Sequence, residues 1–357
     1  MSTIYNFNAG PAALPKEVLQ KAQREMVEYG NTGMSVMELS HRSNAYEDIH
    51  NQAISRLKSI ANVNQDYHVL FMQGGASLQF TSVAQNFLKG QSNYILTGGW
   101  SEKAAAEAQK IGNVVIGASS KENQYRSIPL SDTLLYDSND SYMHVTSNNT
   151  LYGTQWQSFP DASIPLVCDM SSDILSRSID MNQFDLVYAG AQKNLGPAGV
   201  TAIFVKDSFL KQANKNIPTM LSYQTYADSN SLYNTPPVYS IYMLNLVLEW
   251  IEERGGIDYI EDQNDQKAKI VYEAIDSSDG FYKGHAQIDA RSKMNVTFTL
   301  ATEALTTTFL KAAADAGFVG LPGHRSVGGC RASIYNSVSL ESCEALAKFM
   351  NQFKKMV

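Results

Sequence analysis

The sequence predicts an α/β fold, with a large domain on a mainly parallel seven-stranded sheet flanked by helices and a smaller C-terminal α+β domain. Three observations carry this expectation. Short apolar segments alternate with amphipathic or alanine-rich ones over the first two thirds of the chain, as in parallel strands joined by helical crossovers. The segment Val69-Leu70-Phe71-Met72 runs through Gln73-Gly74-Gly75-Ala76-Ser77 directly into a helical pattern, a strand–turn–helix unit. After about residue 258 the alternation changes character.

Apolar runs bounded by turn residues place the seven strands at 67–72, 93–97, 113–117, 143–147, 166–169, 186–189 and 201–205. Helical periodicity covers 15–29, which opens on a favourable first-turn proline, and then 46–60, 77–88 and 100–111. The segment 222–237 is polar, rich in tyrosine and asparagine, and ends in Pro236-Pro237, so it reads as a long loop. Two helices follow at 238–253 and 257–275, separated by Gly255-Gly256; the first is apolar nearly all round and therefore buried. The remainder reads as a strand at 294–300, a helix at 302–316, a strand at 331–335 and a last helix. In that helix Leu346, Phe349, Met350 and Phe353 form one core-facing stripe.

Composition narrows the function classes. Across 357 residues, 44% are hydrophobic and 18% charged, an ordinary globular balance. The formal net charge is −7 and the basic residues are scattered, so neither nucleic acid nor a membrane surface is an expected partner, and small molecules are. Cys168, Cys330 and Cys343 are odd in number and lack metal-ligand spacing, which fits reduced thiols in a cytoplasmic protein without a metal site. No apolar run reaches membrane-spanning length.

Two strand ends carry the chemistry. The run Leu186-Val187-Tyr188-Ala189-Gly190-Ala191-Gln192 delivers Lys193 into a turn containing Gly196 and Pro197, and upstream Pro165-Leu166-Val167-Cys168 ends in Asp169. Taken singly, Asp169 reads as a turn cap and Lys193 as a solvated charge. Together they suggest a pyridoxal-phosphate site, in which a lysine condenses with the cofactor aldehyde and a carboxylate keeps the pyridinium nitrogen protonated. The turn at Gly74-Gly75-Ala76-Ser77 adds an anion cradle at a helix N-terminus. It lacks the lysine of a nucleotide-binding loop and the spacing of a dinucleotide site, so a cofactor phosphate suits it better. Cys168, alternating with Asp169 in one strand, is expected to face the opposite side as a packed thiol.

At this point the chain resembles the phosphoserine aminotransferase family, class V aminotransferases of fold type I. The resemblance spans essentially the whole length, through Asn6-Phe7-Asn8-Ala9-Gly10-Pro11, Ser40-His41-Arg42, Gly74-Gly75-Ala76-Ser77, Thr146-Ser147-Asn148-Asn149-Thr150, the Asp169 and Lys193 segments, Tyr233-Asn234-Thr235-Pro236 and Gly323-His324-Arg325-Ser326 leading to Arg331. It implies a large cofactor-binding domain over residues 16–258 and a small domain of 1–15 and 259–357. It implies that Lys193 is the catalytic lysine, that Asp169 pairs with the pyridinium, that Trp100 stacks on the ring and that Thr150 lies beside it. Ala76, Ser77 and Gln192 match phosphate-binding positions, joined by Asn234 and Thr235 from the neighbouring subunit, so a homodimer is expected.

The implied reaction is reversible transfer of an amino group between L-glutamate and 3-phosphohydroxypyruvate, giving 2-oxoglutarate and phosphoserine in serine biosynthesis. The phosphorylated 4-hydroxythreonine of pyridoxine biosynthesis is a related candidate substrate, and the sequence does not decide its use. Each substrate carries two anionic ends. By resemblance Arg331 grips the α-carboxylate, while Arg42, His324 and either His41 or Arg325 meet the distal carboxylate or phosphate. One departure is that some branches carry an arginine where this chain has Ser77, so the two His-Arg pairs are expected to hold the phosphate instead. A cysteine lyase of the same class would need a mobile reactive cysteine; the nearest, Cys330, precedes Arg331 in a strand and is expected to point away from the pocket. A silent binding module would have no reason to keep Lys193, Asp169 and every anion-binding position.

Overall fold

The structure is a computed structural model that describes residues 3–357. From the N-terminus the elements are β1 (Tyr5–Asn6), α1 (Lys16–Glu25), α2 (Asn44–Ile60), β2 (Tyr67–Met72), α3 (Gly75–Phe87), β3 (Gln91–Leu96), α4 (Gly99–Gln109), β4 (Asn113–Ser119) and β5 (Met143–Thr146). Next come β6 (Asn148–Asn149), β7 (Thr154–Gln155), β8 (Leu166–Asp169), β9 (Leu186–Gly190), β10 (Thr201–Lys206), α5 (Asp207–Leu210), α6 (Tyr223–Asp228) and α7 (Val238–Glu253). The chain finishes with α8 (Gly256–Asp276), β11 (Tyr282–Gly284), β12 (Asn295–Leu300), α9 (Glu303–Asp315), β13 (Phe318–Val319), β14 (Cys330–Ser333) and α10 (Leu340–Met356).

The seven expected strands form one sheet in the order β2-β10-β9-β8-β5-β3-β4. Only β10 runs against its neighbours, pairing antiparallel with both β2 and β9. Its direction follows from the 191–200 connection, which is too short for the crossover of about a dozen residues or more that a parallel pair requires. Side chains alternate between two buried faces, as a sheet covered on both sides demands. Val69, Phe71, Val145, Cys168 and Ala189 pack with α2 and α7 on one face, and Leu70, Met72, Val167 and Tyr188 pack with α3 and α4 on the other. Helix α7 is buried from Ile241 to Leu248, in line with its uninterrupted apolar sequence.

A second core gathers β12, β14, α8, α9 and α10 around Phe298, Phe309, Leu346 and Phe353. The N-terminal segment belongs to it, because β1 pairs in parallel with β13 and Phe7 is fully buried there. Helix α8 crosses the seam, with Ile260 in the first core and Ala268 and Val271 in the second. We propose that the two cores mark the two domains, with the division at the start of α8 near residue 258.

Three expectations need correction. Helix α1 stops at Glu25 instead of 29, because Gly30 and Gly33 adopt positive φ and the Tyr29 amide bonds Met34 O at 2.8 Å, turning the chain. The 222–237 segment is not all loop: its start forms α6, capped by the Ser222 side chain on the Thr225 amide. There the polar composition hid Tyr223 and Tyr226, three residues apart and both buried. Strand β11 was not foreseen, being three residues long.

One close approach shapes the entry to the site. At Gly98 φ is +156°, and a Cβ would stand 1.6 Å from Nδ2 of Asn149. Ser101 Oγ accepts from the Thr97 and Gly98 amides at 2.9 and 3.1 Å, fixing the first turn of α4. Replacing Gly98 by alanine is expected to lower the unfolding free energy by about 1–3 kcal/mol. Urea denaturation checks this; a loss under about 0.5 kcal/mol would contradict so tight a contact.

Candidate active site

The carboxyl ends of β5, β8 and β9 converge, the usual place for a site in an open α/β sheet. Asp169 closes β8, Lys193 follows β9, Trp100 lies in the first turn of α4, and Ala76 and Ser77 lie in the first turn of α3. All border one cavity of about 270 Å³, which Thr150, Gln192, His324 and Arg331 also line.

Lys193 Nζ donates to Thr150 Oγ1 at 2.9 Å and stands 5.8 Å from the centre of the Trp100 ring. Burial pushes its ammonium down to about 8; Asp169 opposes the shift and Arg331 adds to it. Asp169 is buried, which raises its carboxyl, while Ser171 and Lys193 work against the rise. The Ser171 amide and hydroxyl both donate to Asp169 Oδ1, at 2.9 and 2.6 Å. Thr150 serves two neighbours, since its carbonyl also accepts from Arg331 Nη1 at 3.3 Å.

Arg331 comes from the second core, on β14. Its Nε is buried without a partner and burial lowers its guanidinium pKa. His324 Nδ1 lies 2.7 Å from Ser326 Oγ and takes a bond from the Ser326 amide at 3.3 Å. Burial, followed by the charges of Arg331, Lys103 and Arg325, holds this imidazole below the ordinary histidine range.

The residues present fit pyridoxal phosphate. Consecutive positive φ angles at Gly74 and Gly75, +93° and +66°, form a concave turn ahead of the thirteen-residue α3, and nothing lies within 4 Å of a Cβ built on Gly75. Such a turn at a helix N-terminus accepts a phosphate. The buried Trp100 Nε1 has no partner within the protein. Asp169 supplies a carboxylate for a ring nitrogen, and Lys193 an amine for an aldehyde.

The structure therefore brings Ala76, Ser77, Trp100, Thr150, Asp169, Gln192, Lys193, His324 and Arg331 to one cavity. His41, Arg42, Asn234, Thr235 and Arg325 are not among its lining residues within one chain. His41 and Arg42 precede α2, which packs on the sheet face opposite α3. Asn234 and Thr235 are exposed, and Thr235 O accepts from Gln73 Nε2 at 3.4 Å. Arg325 is exposed beside His324. Sequence reasoning gave no role to Asn148 or Ser171, both in the lining. For Ser171 a signal existed, because a serine two residues after an aspartate is the spacing of a local side-chain-to-backbone turn. Cys330 and Cys168 sit in the two cores, facing away from Arg331 and Asp169 as expected, and burial pushes the Cys330 thiol up to about 12.

A half-buried lysine facing a buried carboxylate, beside an indole ring and a phosphate cradle, defines a pyridoxal-phosphate-dependent transferase. The family model for Aminotransferase class-V matches residues 4–346, and the chain belongs to that family. The chain is 62% identical over 354 residues to the phosphoserine aminotransferase of Shouchella clausii (strain KSM-K16), covering 99% of this chain and 97% of that one. The solved phosphoserine aminotransferase from Bacillus circulans subsp. alkalophilus superposes with a TM-score of 0.98 at 54% identity, covering 99% of each chain. A further solved phosphoserine aminotransferase, described for radiation damage of its Schiff base, has a TM-score of 0.98 at 54% identity and covers 99% of this chain and 100% of its own.

The charges around Lys193 predict opposite shifts. In the cofactor-free protein, Asp169→Asn removes the negative charge that favours the ammonium and moves its pKa below about 8. Arg331→Met removes a repelling cation and moves it upward. The pH dependence of covalent modification at Lys193 measures both; shifts of the same sign would refute the assignment of causes.

Proposed function

We propose that this chain is a phosphoserine aminotransferase, moving an amino group reversibly between L-glutamate and 3-phosphohydroxypyruvate to give 2-oxoglutarate and O-phospho-L-serine. The carrying observation is the placement of Lys193 between Thr150 and the charge of Asp169, in a cavity that Arg331 enters from the second core. Full-length similarity to phosphoserine aminotransferases supports it. Serine biosynthesis is the corresponding role, and phosphorylated hydroxythreonine is a related substrate for the same site.

Pyridoxal phosphate, when bound, supplies an aldehyde that captures an amine and a ring that takes up the electron pair left when an α-proton departs. The chain does the rest. Ala76, Ser77 and Gln192 would hold the cofactor phosphate, with the α3 N-terminus behind them. Trp100 would cover the ring and Asp169 would favour a positive charge on its nitrogen. Lys193, whose amine sits near a pKa of about 8 in the cofactor-free chain, would take the substrate α-proton at Nζ and give it back. Thr150 Oγ1 fixes the position from which that nitrogen moves. Arg331 grips the substrate α-carboxylate with its planar fork, and Phe80 and Leu151 exclude water from the walls.

The distal group of the substrate falls to His324, Arg325, His41 and Arg42 in this reading. The exposed Asn234 and Thr235, next to Tyr233 at 53% exposure, support a homodimer in which this segment reaches the neighbouring cofactor phosphate. Three free, buried cysteines suit a reducing cytoplasm. Among the described residues, no helix is long and apolar enough to cross a membrane.

Lys193→Ala is expected to lower turnover by at least ~10²–10⁴-fold; near-normal steady-state rates would sink the assignment. Arg42→Ala and His324→Ala should each raise the Michaelis constant for phosphoserine about tenfold, the value of one charge-assisted bond. The first experiment is a visible spectrum of the holoenzyme. Loss of its band with phosphoserine and glutamate, restored by 2-oxoglutarate, supports the reaction; turnover of cysteine alone would move the protein to a lyase.

A further inference from the structure

A cation without an assigned role stands beside the cavity. Lys103 lies one turn along α4 from Trp100 and places its ammonium 4.3 Å from the centre of the indole ring. Lys193 Nζ approaches the same ring, and Trp100 lines the cavity together with His324 and Arg331. The adjacent Glu102 does not neutralise Lys103, since its Oε1 already accepts from Lys121 Nζ at 2.8 Å and from the Tyr125 hydroxyl at 2.7 Å. Lys103 itself is exposed and has no carboxylate partner among the described residues. Its charge reaches His324, helping to keep that ring uncharged.

Charge balance makes this position informative. A phosphoserine substrate brings a carboxylate and a phosphate of about −1.5 to −2. Arg331 answers the carboxylate, Arg42 and Arg325 lie outside the cavity lining of one chain, and at the cofactor cradle this chain offers the neutral hydroxyl of Ser77. Partial burial and its cationic neighbours oppose a charge on His324. Lysine is a compact point charge on a flexible stem, suited to meeting a phosphate whose position the indole contact defines.

We propose that Lys103, carried on the ring of Trp100, is a specificity residue that meets the distal phosphate of the substrate and supplies the positive charge that Ser77 lacks. This rests on the phosphoserine aminotransferase reading given above. The same ammonium meets the distal carboxylate of glutamate more weakly, because that group carries less charge.

The test uses the holoenzyme with Lys103→Met, which keeps an unbranched stem over the indole, and Lys103→Arg, which keeps the charge. The titrations follow the visible band with L-phosphoserine and L-glutamate, and the inhibition constant of inorganic phosphate is measured alongside. Lys103→Met is expected to raise the phosphoserine and phosphate constants about tenfold. The glutamate constant should rise less, the loss should fall on KM more than on kcat, and the arginine variant should recover most of the affinity. A purely packing role for Lys103 would move the three constants together and would not be rescued by arginine. Phosphoserine and phosphate constants within about twofold of wild type in Lys103→Met, while Arg42→Ala or His324→Ala raises them, would overturn the proposal. A wild-type band that ignores phosphoserine would overturn the underlying reading instead.

Discussion

The structure depends on keeping an amine buried next to a carboxylate at the ends of two adjacent strands. Burial alone drives a lysine toward neutrality and an aspartate toward protonation, so each needs the other to stay useful. Strands β8 and β9 are in parallel register, with Asp169 opposite Tyr188. Lys193 then arrives through a tight turn held by bonds from the Leu195 and Gly196 amides to Ala191 O at 3.1 and 2.9 Å. The compromise leaves the ammonium near 8, where both the proton-accepting and the protonated form exist at neutral pH. Ser171 and Ser147 hold the carboxylate and the carbonyl of Asp169, so the acid does not drift toward the lysine.

The second core reaches this pair through a network of uncharged polar groups. Asn148 donates to Ser172 and to Asn295, each at 2.8 Å; Asn295 in turn donates to Ser333 and to the Tyr335 hydroxyl, which bonds Ala9 O at 2.9 Å. Buried groups of this kind are costly when unpaired, so the network admits few alternative arrangements of the two cores. Lys267 is likewise buried and donates to the carbonyls of Ile334 and Tyr335, at 3.1 and 2.7 Å, just beyond the strand that carries Arg331. The backbone just after Arg331 is thus anchored by contacts outside the cavity.

Electrostatics divides the protein into an acidic whole and a cationic entrance. The formal net charge is −7, yet Arg331, Arg325 and Lys103 cluster around His324. A concentrated positive patch on an acidic surface draws anionic substrates to one place and repels them elsewhere. Partial burial and then these three cations oppose the protonation of His324.

By itself the sequence determined whatever follows from short-range pattern. All seven strands of the large sheet, the buried α7 and the opposed faces of Cys168 and Asp169 came from alternation and periodicity, because side-chain direction along a strand or helix is fixed by local geometry. The Asp169, Lys193 and Gly74-Gly75 motifs were legible for the same reason, as each sits in one continuous segment. Tertiary structure alone decided the rest: the antiparallel sense of β10, the pairing of β1 with β13, and the placing of Thr150 between Lys193 and Arg331. It also separated His41 and Arg42 from the cavity of their own chain and placed Lys103 on Trp100. These depend on which distant segments pack together, and packing is settled by the burial of whole faces and the pairing of polar groups, which no local stretch of sequence encodes.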